Sequence, residues 1–247
     1  MKENKYDDSV FFEKYSRMNR SAQGLAGAGE WPALQKLLPE FSGKRVLDLG
    51  CGYGWHCIYA AEHGAAQVVG ADISRKMLQI ARKKTAFPVV RYACAAMEDL
   101  RFSDGSFDVV LSSLALHYIE AFRPLVESVF RWLAPGGSFV FSVEHPIFTS
   151  QGPQDWAYGE NGEILHFPVD RYFEEGARDA VFLGEPVVKY HRTLTTYLGS
   201  LLDAGFSLRR VVEPEPPASM LDQPGMRDEL RRPMMLLVAA DKPSSEN

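Results

Sequence analysis

Val46-Leu-Asp-Leu-Gly-Cys-Gly-Tyr-Gly54 runs a short apolar segment straight into three alternating glycines. Residues 45–49 have the continuous apolar character of a strand buried on both faces in a parallel sheet. Gly50, Gly52 and Gly54 let the turn take positive φ and let a ligand approach without Cβ clashes. Residues 55–63 then read as a helix, whose N-terminus favours an anionic group. The same alternation repeats downstream. Residues 67–71 form a second strand that ends at Asp72, and Ser74 caps a helix to about residue 84. Residues 89–93 and 107–112 are the third and fourth strands, the latter entered by the turn Ser103-Asp-Gly-Ser106. A helix over 121–133 stops at Ala134-Pro-Gly-Gly137, and 138–144 is a fifth strand. This strand–helix alternation predicts an α/β domain with a parallel sheet.

Upstream, Phe11, Phe12, Tyr15, Met18, Leu34, Leu37 and Leu38 fall at helical spacing. They predict two helices in 10–40, broken by the small residues of 24–29. Residues 1–40 are expected to form a helical lid ahead of a domain spanning 41–247. Beyond His145-Pro146 the periodicity fades. Residues 147–186 hold Trp156, Tyr158, Phe167, Tyr172, Phe173 and Phe182 among several Gly and Pro. Such a segment is expected to form an ordered cap over a pocket. Regularity returns with a strand over 187–191, a helix over 193–204 ended by Gly205, and strands over 206–213 and 232–240. Residues 242–247 read as a frayed tail.

The 247 residues are 46% hydrophobic and 24% charged, with a net charge of -5. These values suit a folded globular chain and argue against a broad cationic nucleic-acid surface. No apolar run approaches the ~18–20 residues of a membrane span, and the charged start does not read as a secretory signal. Cys51, Cys57 and Cys94 match no zinc spacing, so no metal is expected. An odd set of thiols without such a signal fits a reducing cytoplasm.

The acid after the second strand narrows the ligand. Asp72 stands about twenty residues beyond Gly50, where a carboxylate can accept from both hydroxyls of a ribose. A dinucleotide fingerprint, G-x-G-x-x-G, would place its third glycine at position 55, which is Trp55. The spacing here is G-x-G-x-G. Asp48 would also repel a diphosphate, whereas it would welcome an ammonium beside the loop. S-adenosylmethionine carries an ammonium, a carboxylate and a ribose, and no phosphate. Two other readings stay open on these residues: a nicotinamide-dependent oxidoreductase, and a protein that binds S-adenosylmethionine without turning it over.

The runs 46–54, 69–72 (Val-Gly-Ala-Asp) and 106–112 (Ser-Phe-Asp-Val-Val-Leu-Ser) together resemble the class I S-adenosylmethionine-dependent methyltransferases. The resemblance spans about residues 44–144. It is strongest to the bacterial small-molecule branch, which includes ubiquinone-type C-methyltransferases and the malonyl-carrier-protein methyltransferase of biotin synthesis. It implies a Rossmann-like, seven-stranded, mostly parallel sheet of order 3-2-1-4-5-7-6 with strand seven antiparallel. Helices would cover both faces, and the cap would be inserted after strand five. The resemblance also implies that Asp48 and the loop of Gly50, Cys51, Gly52 and Gly54 face the methionine part of the cofactor. Asp72 would hold the ribose and Ile73 would flank the adenine. Ala96, Met97 and Glu98 would run along the adenine edge, and Ser112 and Ser113 would end strand four beside the sulfonium. Many relatives carry Asp where this chain has Ala96, which leaves the adenine amino group to backbone atoms or Glu98. The N-terminal helix carrying Tyr15 would close over the cofactor.

Methyl transfer from a sulfonium is an in-line displacement, helped by alignment in a dry site. A base is needed only when the acceptor must lose a proton. The candidates are His117 after strand four and His145 after strand five, beside Glu144. Arg192 offers a fork for an acceptor carboxylate, and Trp156 and Tyr172 offer faces for a flat or cationic acceptor. Each also has a plain structural reading: a helix cap, a strand end, a sheet-edge brace, a core for the cap. The expected function is methyl transfer to a small molecule in the cytoplasm, with neither nucleic acid nor membrane as partner.

Overall fold

The computed structural model describes residues 4–244. Residues 1–3 lie outside the described residues, as do the last three of the expected tail. The N-terminal segment folds as α1 (Ser9–Ser16), α2 (Asn19–Ala22) and α3 (Trp31–Gln35). Three short helices therefore stand where two were expected. Met18 is extended, with φ -65 and ψ 147, and separates the first two. A Cβ at Gly27 would lie 2.3 Å from the Asn19 carbonyl oxygen, so the chain folds back on α2 only because Gly27 has none.

The central domain follows as β1 (Arg45–Leu49), α4 (Trp55–Glu62), β2 (Gln67–Asp72), α5 (Arg75–Lys84) and β3 (Val90–Cys94). Then come β4 (Phe107–Ser113), α6 (Phe122–Trp132), β5 (Leu133–Glu144) and the short α7 (Pro146–Thr149). The inserted segment holds β6 (Ala157–Tyr158), β7 (Ile164–His166) and β8 (Gly176–Phe182). The chain ends with β9 (Glu185–His191), α8 (Leu194–Asp203), β10 (Ser207–Val212) and β11 (Met235–Asp241).

Seven strands make one sheet in the order β10-β11-β5-β4-β1-β2-β3. Only β11 runs antiparallel to its neighbours, so the expected topology is present, counted along the sheet strands. Successive side chains of a strand point to opposite faces, and the core divides accordingly. Val46, Val68 and Val109 pack with Cys57 of α4 and Leu78 of α5. Leu34 and Leu37 cover Leu111, Val140 and Leu237 on that face. Leu47, Leu49 and Val110 turn the other way, toward Val126 and Val129 of α6 and Tyr197 and Leu201 of α8. The loops leaving the carboxyl ends of β1, β2, β4 and β5 gather on one rim, where open α/β sheets place their ligands.

Regular structure begins earlier in the inserted segment than expected. β8 pairs with β9 from Gly176↔His191 to Phe182↔Glu185. Its periodicity is masked because a charged residue faces inward: Arg178 is buried and donates to the Ser150 carbonyl at 3.0 Å. Leu183 and Gly184 both have positive φ, 56° and 73°, as a two-residue hairpin turn requires. Among the described residues no helix is long and apolar enough to cross a membrane.

Candidate active site

The loop glycines at 50, 52 and 54 have φ of 74°, 52° and 76°. Two are also pressed against neighbours: a Cβ at Gly50 would lie 2.3 Å from the Ala115 Cβ, and one at Gly54 would lie 2.2 Å from the Tyr92 hydroxyl. At Gly52 nothing stands within 4 Å, so the backbone is open there. The Gly52 N–H donates to Asp72 Oδ2 and the Ser74 N–H to Oδ1, each at 2.8 Å. These bonds fix the carboxylate and leave a lone pair on each oxygen, an arrangement that suits two vicinal hydroxyls. Burial raises the Asp72 carboxyl, opposed by the same two bonds. Behind the loop, Asp48 Oδ2 accepts from the Cys57 thiol at 3.4 Å. Its buried Oδ1 has no hydrogen-bond partner among the described residues, and burial pushes the carboxyl up to about 7.

The start of α5 is capped twice. Ser74 Oγ accepts from the Met77 N–H at 3.1 Å and donates to Asp7 Oδ1 at 2.6 Å. Asp7 also accepts from the Lys76 N–H at 3.1 Å, which pins the N-terminal segment over the Asp72 corner. From there α1 sends Phe11 into a cluster with Ala180 and Val187 of the β8–β9 hairpin. Tyr6 stands edge-on to Tyr15 and Tyr118, at 5.1 and 5.9 Å, and shares a hydroxyl–hydroxyl bond of 3.2 Å with Tyr118. Arg20 and Glu30 form an ion pair on the same wall.

These elements surround a cavity of about 1060 Å³. Gly50, Gly52, Asp72, Ile73, Ala96, Met97, Glu98 and Ser113 line it from the sheet rim, with Tyr15 and His117. Tyr118, Glu144, Phe182 and Tyr190 also line it, as do Met220, Met226, Met234 and Met235. Glu144 Oε1 accepts from Lys189 Nζ at 2.6 Å, and Oε2 accepts from Gln154 at 2.8 Å. His117 Nδ1 accepts the Glu144 main-chain N–H at 3.3 Å. Burial pushes the His117 imidazole down to about 4, so it is neutral near pH 7.

The structure thus brings ten of the expected residues onto one wall. Asp48, Cys51, Gly54 and Ser112 stand behind that wall. Cys51 faces a side recess of about 70 Å³, and Ser112 Oγ donates to the Leu49 carbonyl at 2.8 Å, tying β4 to β1. Four acceptor-side candidates lie away from the cavity. His145 Nδ1 accepts from the Ile147 N–H at 3.0 Å, capping α7, while its Nε2 lies 2.7 Å from Glu213. Arg192 gives its guanidinium to the carbonyls of Leu116, Ile119 and Glu120. Trp156 packs on the guanidinium of Arg232 and edge-on to Phe167 within the cap. The Tyr172 hydroxyl accepts from the Leu194 N–H at 3.2 Å, at the start of α8. None of the four lines the cavity, and in three of them the polar group satisfies backbone partners instead. Sequence reasoning in turn named Glu144 only as a partner of His145, and did not single out Tyr6, Tyr118 or Lys189. The signal for Glu144 was a charge at the end of a buried strand. The signal for Lys189 was its place on the inward set Val187, Lys189, His191.

Known proteins resemble this chain in sequence and fold. A sequence family described as a methyltransferase domain matches residues 47–141. A Listeria monocytogenes protein, solved as a candidate S-adenosylmethionine-dependent methyltransferase, is 56% identical, with a TM-score of 0.85 over 90% of this chain and 100% of that one. An S-adenosylmethionine-dependent methyltransferase from Mesorhizobium loti is 46% identical, with a TM-score of 0.82 over 88% of this chain and 100% of its own. A Synechocystis protein described as an uncharacterized methyltransferase is 35% identical over 173 residues, 68% of this chain and 69% of that protein.

Proposed function

The chain belongs to the class I S-adenosylmethionine-dependent methyltransferases, and on that premise we propose that its cavity takes a small-molecule acceptor beside the cofactor. The observation that carries this reading is the size of the cavity. At about 1060 Å³ it stands at the upper end of the ~300–1,000 Å³ range of ligand sites. The glycine loop and Asp72 wall only one part of it. That part fits the cofactor: Asp72 would take the ribose hydroxyls, Ile73 and Met97 the adenine, and the open backbone at Gly52 the methionine portion. Bound there, S-adenosylmethionine supplies a methyl group made electrophilic by its sulfonium. The remaining work is positioning and exclusion of water. Segments 1–40 and 147–186 are suited to both, because Tyr6, Tyr15 and Phe182 from them line the cavity. Family membership sets aside the nicotinamide reading.

Two measurements test the proposal. Isothermal titration is expected to show binding of S-adenosylhomocysteine and much weaker binding of NADH. Incubation with methyl-labelled S-adenosylmethionine and a whole bacterial extract is expected to place label in the low-mass fraction. Label confined to protein, RNA or DNA would overturn the small-molecule reading.

A further inference from the structure

Where β4 and β5 end, the cavity wall carries two polar groups of opposite kind. Glu144 is the last residue of β5, and an ionised carboxylate only accepts hydrogen bonds. The Glu144 carboxyl lies below its ordinary value: burial raises it, while the Lys189 ammonium and the hydrogen bonds from Lys189 and Gln154 lower it. The charge of Lys189, 2% exposed, balances it, so the pair brings no net charge to the wall. His117 stands in the turn after β4. Its Nδ1 already accepts the Glu144 main-chain N–H, so the neutral ring carries its proton on Nε2. Nε2 is therefore a donor with no lone pair to offer as a base. Around these two groups the cavity wall is Tyr118, Phe182, Val187 and Tyr190.

We propose that Glu144 is the catalytic base and His117 the orienting donor for an acceptor methylated on a hydroxyl oxygen. The proposal rests on the small-molecule reading above and narrows it to one class of acceptor. A hydroxyl gives its hydrogen to Glu144, takes the Nε2–H into one lone pair and keeps a second for the reaction. An amine has a single lone pair, which His117 would occupy. A carboxylate has no hydrogen for Glu144, and its charge would face another carboxylate. In the transfer, the free oxygen lone pair forms the O–C bond to the donor methyl. The C–S bond breaks with its electron pair passing to sulfur, and the hydroxyl proton passes to Glu144. The products are a methyl ether, neutral S-adenosylhomocysteine and a protonated carboxyl. A carboxylate held low is a weak base, so it takes the proton only as the new bond acidifies the oxygen.

The chemistry of the product decides the matter. The protein is incubated with S-[methyl-14C]adenosylmethionine and the low-mass fraction of a bacterial extract. Labelled product is expected to survive mild alkali and to release methyl iodide with hydriodic acid, as a methyl ether does. Label lost as methanol in alkali would mark a methyl ester, and label resistant to hydriodic acid would mark a methyl on nitrogen or carbon; either overturns the assignment. Label found only in macromolecules fails the underlying reading and the assignment with it. Glu144→Gln is expected to slow labelling by at least about 100-fold, with S-adenosylhomocysteine affinity within about threefold. That variant strands the Lys189 ammonium, so Glu144→Gln/Lys189→Met repeats the test with an uncharged wall. Parent turnover in either folded variant overturns the role of Glu144. Independently of turnover, 15N NMR of the S-adenosylhomocysteine complex is expected to show neutral His117 protonated on Nε2 near pH 7. A proton on Nδ1 there would overturn the role of His117.

Discussion

Removing the Asp72 carboxylate would strand more than a ligand. The Gly52 and Ser74 N–H groups both lose their acceptor, along with the ribose hydroxyls it is read to hold. Asp72→Ala is expected to weaken S-adenosylhomocysteine at least about tenfold, or ~1.4 kcal/mol, in a protein that still folds. Titration calorimetry checks this, and unchanged affinity would give the acid another task. Asp48 calls for a different experiment. Burial pushes its carboxyl up to about 7, so folding favours its protonated form. Its contribution to stability is complete below the unfolded carboxylate value of ~3.9 and is lost as pH rises through the folded value. Asp48→Asn, of the same shape and without charge, is therefore expected to gain stability over its parent between about pH 4 and pH 8. Parallel urea midpoints across that range would show that Asp48 folds in its charged form. Asp72 was legible in the sequence by its distance from the glycines; Asp48 was read as facing the ligand, and it lies behind the loop, bonded to Cys57. The Glu144–Lys189 pair was not legible there, because the β8–β9 hairpin, not local spacing, brings its two members together.

Among the elements, the turn that carries His117 depends on a distant side chain. Arg192, just ahead of α8, supplies donors to three carbonyls in the 116–120 stretch. Each buried carbonyl left without its donor costs about 1–3 kcal/mol, and 1 kcal/mol moves Tm by roughly 2–4 °C in a chain of this size. Arg192→Ala is thus expected to lower Tm by at least about 5 °C, read by scanning calorimetry; a shift below about 1 °C would refute the brace. Arg192 also shows why acceptor contacts are harder to read than strands. The strands announced themselves through apolar runs and glycine stops that burial alone imposes. Sequence shows that a guanidinium is a fork, but not whether backbone carbonyls have already engaged it. Trp156 is a second case, its face being taken by Arg232. β8 escaped notice because the inward Arg178 broke the apolar alternation that marks a half-buried strand.

At the scale of the whole molecule, α1 and the turn before it join two regions that the sheet keeps apart. Asp7 is bonded to the start of α5, beside Asp72, and Phe11 packs into the β8–β9 hairpin at Ala180 and Val187. Cofactor binding is expected to steady this whole segment. Saturating S-adenosylhomocysteine is then expected to slow tryptic cleavage at Lys14, Arg17 and Arg20 relative to sites in the 227–232 loop. Equal rates with and without it would show that the segment does not respond to the cofactor.

The double anchorage of that one segment also bears on the timing of the catalytic cycle. An element fastened to both compartments cannot free one without loosening the other. If the segment must lift to release both products, one opening serves both departures, and a burst of methylated product ahead of steady turnover is expected; rapid-quench kinetics without a burst would place the slow step in the chemistry.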